Sequence, residues 1–272
     1  MARPHLDFIQ PQVLPWTRGL YGGGRPEVEV KTLSIDPEGK DSSLVLRYAA
    51  GYARREHEHL AADEEVFVLE GAFELNGTLY ERGAYAHFPV GFERRSFSAP
   101  AGAVVLTFFS AEPRAFAGAP TNPCDERRLI RHIDTRRGGW EDNKYFPGRV
   151  LFLRNDPVTG DMTYLQTTRP NDGSGKVERH TTVQEMYTLA GELSGPYGIY
   201  YAGAYFWRPA GIKHGPFGTQ TGCNFFMRSV GGPLLYEYFP VEKPFRWVPE
   251  HKPILPPGHE RYAGPWRPST NY

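Results

Sequence analysis

The sequence predicts an all-β fold: two tandem barrels of one architecture, with extended N- and C-terminal arms. Three observations lead there, namely an internal repeat, a turn-rich composition and short strand-like runs. The repeat weighs most, because self-similarity at a constant offset marks one structural unit used more than once. SIDPEGKDSSLVLRY has a counterpart in LRNDPVTGDMTYLQT, with Asp36-Pro37 matching Asp156-Pro157 and Asp41 matching Asp161. The same offset of 120 residues links EVFVLEG (65–71) to EMYTLAG (185–191) and GAYAHFPVG (83–91) to GAYFWRPAG (203–211). A chain of 272 residues accommodates two domains of ordinary size, each with its own core. The junction is expected between about 113 and 130, in AFAGAPTNPCDERR, which gives domains of 1–125 and 126–272.

Composition supports the same class. Glycine (30) and proline (25) are abundant and long Ala/Leu/Glu/Lys stretches are scarce, so little helix is expected. Runs rich in Val, Leu, Phe, Tyr and Thr, punctuated by DPEG, NG, PVG, PAG and GG, read as strands joined by hairpins. Closure into barrels would remove exposed edges. The tail from Phe245 onward holds too many prolines for a helix or central strand, and its aromatics predict an arm packed on the surface.

Charge bounds the partners. Lysine plus arginine equals aspartate plus glutamate at 31 each, which provides no field for nucleic acid or anionic lipid, so a small-molecule substrate is expected. Cys124 and Cys223 cannot form a disulfide framework and lack CxxC spacing, which suggests a reducing compartment. No apolar run has the length of a signal peptide or membrane span, so a cytoplasmic location is expected. A homodimer is compatible with all of this.

The chemistry-bearing residues cluster. In GYARREHEHLAADEEVFVLEG, His57 and His59 stand two apart, and period-two alternation would place both imidazoles on one face, with Glu64 opening the next run. Two nitrogens and a carboxylate meeting at one point make the facial arrangement that leaves open positions on iron or a similar ion. Gly51, His57, His59, Glu64 and Gly71 resemble the first motif of the cupin superfamily; Gly83, Pro89 and Gly91, and more fully Gly203, Pro209, Gly211 and His214, resemble the second. DEEVFVLEG and RPAGIKHGPF are most similar to ChrR-type cupins and neighbouring bicupins. The resemblance implies double-stranded β-helix (jelly-roll) barrels and a divalent metal, with Fe2+ favoured and Zn2+, Mn2+ or Ni2+ as alternatives.

Neither copy carries the full family ligand set. In the first, Arg94 stands at the last histidine's position; a guanidinium cannot coordinate, but it can pair with Glu64 in place of a cation. In the second, Glu178, His180, Gln184 and His214 remain, a set able to bind a divalent ion. The strict offset sets Arg179 opposite His59, so this alignment assumes a one-residue shift before Gln184. Glu178 and Glu64 are the expected general bases where they are not metal ligands. His5, His87, His132, His251 and His259 lack partners at ligand spacing, although alternation could turn His87 inward. Gly22-Gly23-Gly24 and Gly173-Ser174-Gly175 read as loops, Cys223 as a core thiol, and Tyr187, Tyr205, Trp207, Phe225 and Phe226 as largely barrel core.

The expected activity is that of a non-heme dioxygenase on a diketone or hydroxyaryl ketone. The alternatives are a redox-neutral isomerase, cyclase, lyase or hydrolase, or a ChrR-like zinc- or ligand-binding sensor.

Overall fold

A computed structural model describes residues 3–20, 25–144, 146–242, 244–266, 270 and 272; the expected Gly22-Gly23-Gly24 turn lies outside them. The chain opens on β1 (Leu6–Ile9). There follow β2 (Thr17–Leu20), β3 (Arg25–Ile35), β4 (Ser42–Tyr48), β5 (Tyr52–Arg54), β6 (Glu58–Leu60) and β7 (Glu64–Leu75). Next come β8 (Thr78–Glu81), β9 (Ala84–Phe88), β10 (Phe97–Ala99), β11 (Ala103–Phe109), β12 (Ala115–Ala117) and β13 (Ile130–Asp134). The second half holds β14 (Glu141–Asp142), β15 (Arg149–Asn155), β16 (Met162–Thr168), β17 (Asp172–Gly173), β18 (Val177–Arg179) and β19 (Val183–Gly195). It ends with β20 (Gly198–Tyr201), β21 (Tyr205–Arg208), β22 (Gly218–Thr219), β23 (Cys223–Val230) and β24 (Glu237–Phe239). No helix among the described residues is long and apolar enough to cross a membrane.

Two compact units result: Pro15–Gly138, and Arg3–Leu14 together with Gly139–Tyr272. Each is built on a ten-stranded antiparallel sheet, with main orders β13-β9-β7-β11-β4-β3-β2 and β1-β21-β19-β23-β16-β15-β14. The central strands correspond one for one at the 120-residue offset, so the repeat seen in the sequence is a repeat of topology. Small sheets β6–β12 and β18–β24 complete the respective units.

The expected boundaries differ from these units at both ends. β13 hydrogen-bonds along β9, which extends the first unit past residue 125 to Gly138, while β1 pairs with β21 and belongs to the second. Each repeat's leading strand therefore edges the sheet of the other repeat. Strand pairing decided this, since composition shows where the chain turns and not which edge it joins.

Alternation sorts the strands into an inner and an outer face. Val66, Val68, Ala86, Phe88 and Val105 enter the first core, and Met186, Phe206, Phe225 and Met227 the second. Burying each of the larger side chains contributes about 1.5–3 kcal/mol. Phe225 is thus core as expected, whereas Tyr187, Tyr205, Trp207 and Phe226 are buried on the opposite face of their strands. Gly71 and its repeat partner Gly191 sit at positive φ (67° and 76°) beside β-bulges. A Cβ there would stand 2.2 Å from the Gly102 carbonyl oxygen or 2.0 Å from that of Gly222, so only glycine fits this bend.

The arms pack as ordered backbone on the second unit. Asp7 and Ile254 exchange backbone hydrogen bonds, the Lys252 amide donates to the Tyr197 carbonyl at 2.9 Å, and the Ser194 hydroxyl donates to the Trp247 carbonyl at 2.7 Å. β1 also delivers Asp7, fully buried, to Arg208. The guanidinium donates through Nε and through Nη2 (3.0 Å), and Tyr200 adds its hydroxyl at 2.6 Å. Burial opposes ionisation of Asp7, but the charge of Arg208 and the hydrogen bonds around the carboxylate outweigh it and hold Asp7 down to about 2.

A depressed carboxylate pKa stabilises the fold above its unfolded value and ceases to do so as pH falls through the folded one. The second unit should therefore lose about 2 kcal/mol of stability between roughly pH 4 and pH 2 from Asp7 alone. Asp7→Asn leaves Arg208 buried and unpaired, and should cost on the order of 3 kcal/mol at pH 7 in urea unfolding. An Asp7→Asn midpoint equal to wild type would contradict this.

Candidate metal centre in the second barrel

Glu178 lies in β18, and His214 lies opposite it on the neighbouring segment. Their backbones exchange hydrogen bonds, 2.9 Å in each direction, forming an antiparallel bridge. Residues directly opposed in such a pair project to the same face, so both side chains enter the barrel together. His180, two positions beyond Glu178, follows on the same side. One donor atom from each of Glu178, His180 and His214 lies within 4.8 Å of the others, and all three side chains are buried.

Hydrogen bonding fixes the tautomers. His180 Nδ1 lies 3.0 Å from the Leu235 carbonyl oxygen, and His214 Nδ1 lies 2.9 Å from that of Ile212. A carbonyl oxygen only accepts, so each Nδ1 carries a proton and each Nε2 is the ring nitrogen turned toward Glu178. These Nε2 atoms lie 3.6 and 3.4 Å from Glu178 Oε1, buried and without a hydrogen-bond partner. Burial, aided by the charge of Arg208, pushes His214 down to about 4, which keeps it neutral at pH 7. Burial would raise Glu178, but the two facing imidazoles outweigh it and hold the carboxyl at about 2. Two imidazoles with Nε2 turned inward and an ionised carboxylate within 4.8 Å in a buried site form a donor set that fits a divalent metal ion, which would take the place of protons on the Nε2 atoms. The backbone carbonyls at both Nδ1 atoms supply the outer support that metal-ligating histidines need.

Gln184, the fourth expected ligand, lines the same cavity as Glu178, and its Oε1 accepts from Arg208 Nη1 at 2.7 Å, which occupies one of that oxygen's two lone pairs. A cavity of about 40 Å³ adjoins the triad, lined by Glu178, Gln184, Arg208 and Tyr236 among apolar side chains such as Phe206 and Phe217. The Tyr236 ring meets His180 edge-on at 4.8 Å.

The first barrel is different. Glu58 and Arg94 form the same backbone bridge that Glu178 and His214 form, each member displaced by 120 residues. The alignment therefore needs no shift: Glu58, and not His57 or His59, is the inward residue. His57 is exposed, 3.8 Å from Glu93, while His59 is half-buried, with Nδ1 3.1 Å from the Gly118 carbonyl oxygen and its ring stacked on Phe116. The HxH spacing is real but its phase is opposite, and β-alternation turns a one-residue error into the wrong face. Leu60 takes the place of His180. Glu64 does point inward, where Arg94 Nη1 reaches its Oε2 at 2.7 Å, while Glu58 accepts from Arg25 and Arg54. Arginines thus fill the role of a metal, and Glu64, engaged by Arg94, is not placed as a general base.

Asp7 and Arg208 escaped the sequence reading. The signals existed: Phe88 becomes Arg208 at the 120-residue offset, and His5-Leu6-Asp7 echoes His132-Ile133-Asp134. Elsewhere, His87 is buried on the outer face with Nδ1 2.8 Å from the Arg128 carbonyl oxygen, because Ala86 and Phe88 take the interior. His251 reaches the Ala263 carbonyl oxygen at 2.8 Å. Cys124 and Cys223 are free thiols, and burial pushes Cys223 up to about 12, far from a nucleophile's range.

Two tandem barrels of this strand order, one enclosing a buried His-His-Glu cluster, define a bicupin. The ChrR cupin-like domain model matches residues 5–111 and 131–231, and the chain belongs to that family. Among solved structures, it is similar to a candidate dioxygenase from Nostoc punctiforme PCC 73102, with 16% identity over 88% of this chain and 92% of that one, and a TM-score of 0.76. An oxalate decarboxylase from Bacillus subtilis gives 12% identity over 88% and 80%, with a TM-score of 0.60. The coconut allergen cocosin gives 11% over 86% and 87%, with a TM-score of 0.59. At these identities the likeness shows the fold. No curated protein matches the chain.

Metal analysis of purified variants separates the two barrels. His214→Ala should abolish most bound metal, while His57→Ala with His59→Ala should leave it unchanged; the opposite pattern would move the centre to the first barrel. Arg94→Met strands Glu64 in the interior and should cost on the order of 3 kcal/mol in chemical unfolding with no change in metal content.

Proposed function

We propose that the second barrel is a metal-dependent catalytic centre acting on a small oxygen-bearing organic molecule, and that the reaction is a dioxygenation. The observation that carries this reading is the ligand chemistry: Glu178, His180 and His214 form a two-histidine, one-carboxylate set, with no fourth histidine, cysteine or carboxylate donor grouped with it among the described residues. Such a set with open positions is the pattern of non-heme Fe(II) oxygenases. Iron held there would supply adjacent open positions for an oxygen-bearing substrate and O2.

The remaining work falls to the protein's own groups. Leu235 and Ile212 fix the imidazoles through their carbonyls, so the donors need not reorganise. Apolar walls including Phe206 and Phe217 lower the local dielectric, which strengthens the polar contacts inside. Glu178 acts as ligand and not as general base, because its carboxylate faces both imidazoles. One solved relative in fold is described as a candidate dioxygenase and another as an oxalate decarboxylase, which supports an enzymatic use of this architecture.

Oxygen-electrode measurements on Fe(II)-loaded protein with small 1,2- and 1,3-diketones, 2-hydroxy ketones, and 2-hydroxy and 2-oxo carboxylates test the reading. Oxygen uptake matching substrate loss, reduced at least about a hundredfold in His214→Ala, is the expected result. Substrate turnover without oxygen uptake would exclude dioxygenation and favour redox-neutral chemistry.

A further inference from the structure

We infer that Arg208 is the substrate-recognition residue of the second barrel, and that the substrate it selects is a small monoanion presenting two adjacent oxygens, such as a 2-hydroxy or 2-oxo carboxylate. This rests on the metal-centre reading above and names the ligand class of that site.

The geometry comes first. Arg208 is 2% exposed, yet it lines the same small cavity as Glu178. Its guanidinium lies flat over Phe206, 3.6 Å from the ring centroid, and 5.3 Å from that of Phe217, a ring that also contacts His214. Of its five N–H groups, two donate to Asp7 and one to Gln184, and the Tyr200 hydroxyl is a further partner, so the fork is fixed from behind and keeps one or two N–H groups for a ligand. That is the arrangement of a preorganised carboxylate receptor: a planar cation, locked by other side chains, at the wall of a dry cavity.

The fold itself does not require this arginine. The first barrel carries Phe88 at the equivalent position, packed in its core, and among the described residues no histidine–glutamate cluster occurs there. Replacing a buried ion pair by apolar side chains is often neutral or stabilising, so packing alone gives no reason for Asp7 and Arg208 to occupy this interior. The charged pair occurs in the barrel that has the triad.

Charge and size then select the ligand. Arg208 and Asp7 cancel, and a divalent ion on ionised Glu178 leaves one net positive charge in a low-dielectric cavity, which a monoanion neutralises. Room for roughly three waters limits the ligand to a handful of heavy atoms. A bidentate oxyanion can place one oxygen toward the triad and another on Arg208.

The test is binding, measured by calorimetry on the full chain loaded with Fe(II) under argon, with lactate and its neutral counterpart lactamide as probes. Wild type should bind lactate at least about tenfold more tightly than lactamide. Arg208→Gln should bring the two within about twofold at unchanged iron content, and Arg208→Lys should restore part of the preference. Should Arg208→Gln fail to fold because Asp7 is stranded, Asp7→Asn with Arg208→Gln removes both charges and must show the same loss. An undiminished preference in either folded variant, or wild type that takes up iron but does not prefer lactate, would overturn the inference while leaving the triad intact. Wild type that takes up no iron would defeat the triad reading and this inference with it.

Discussion

The site depends on one short backbone clasp. Glu178 and His214 exchange amide hydrogen bonds, and this antiparallel bridge forces their side chains to leave the backbone on the same side. Two strand-like segments distant in sequence are thereby registered to within a residue, and a register slip of one would turn both donors outward. His180 then needs only the period of a β-strand to join them. The clasp recurs at Glu58 and Arg94, which makes it a property of the fold and not of the metal chemistry.

What the fold places at that clasp separates the two barrels. In the first, Glu58 and Glu64 face Arg25, Arg54 and Arg94, and the interior charges are matched by side chains alone. In the second, one carboxylate faces two imidazoles whose protons are turned away toward carbonyl oxygens. A divalent cation is a group that one buried carboxylate and two inward-facing Nε2 atoms can hold together. The same scaffold thus supports a closed ion-pair interior and a ligand-ready one, through a few substitutions that include histidines at the positions of Leu60 and Arg94.

The chain's two ends are part of the second barrel. β1 borders β21 and carries Asp7 to Arg208, while the proline-rich tail meets Asp7 from the other side through Ile254. Arg208 in turn donates to Gln184, which lines the same cavity as Glu178. Residue 7 is thereby linked to the cavity beside residue 178 without touching it. Such support from outside the ligand group is what holds a first coordination shell in place.

By itself the sequence determined the all-β class, the duplication at 120 residues and the presence of histidine and carboxylate near the second-motif histidine. It also determined that Arg94 could stand in for a cation beside Glu64, because that inference needs only residue types at matching positions. Tertiary structure decided the rest. Which of His57, Glu58 and His59 faces inward depends on strand phase, and period-two patterns cannot supply it where every residue is polar, as in REHEH. That Gln184 binds Arg208, that Asp7 holds Arg208, and that each leading strand serves the other repeat's sheet all arise from contacts between segments up to about two hundred residues apart. Local pattern specifies strands and turns, whereas the partners of buried polar groups are chosen only when the barrel closes around them.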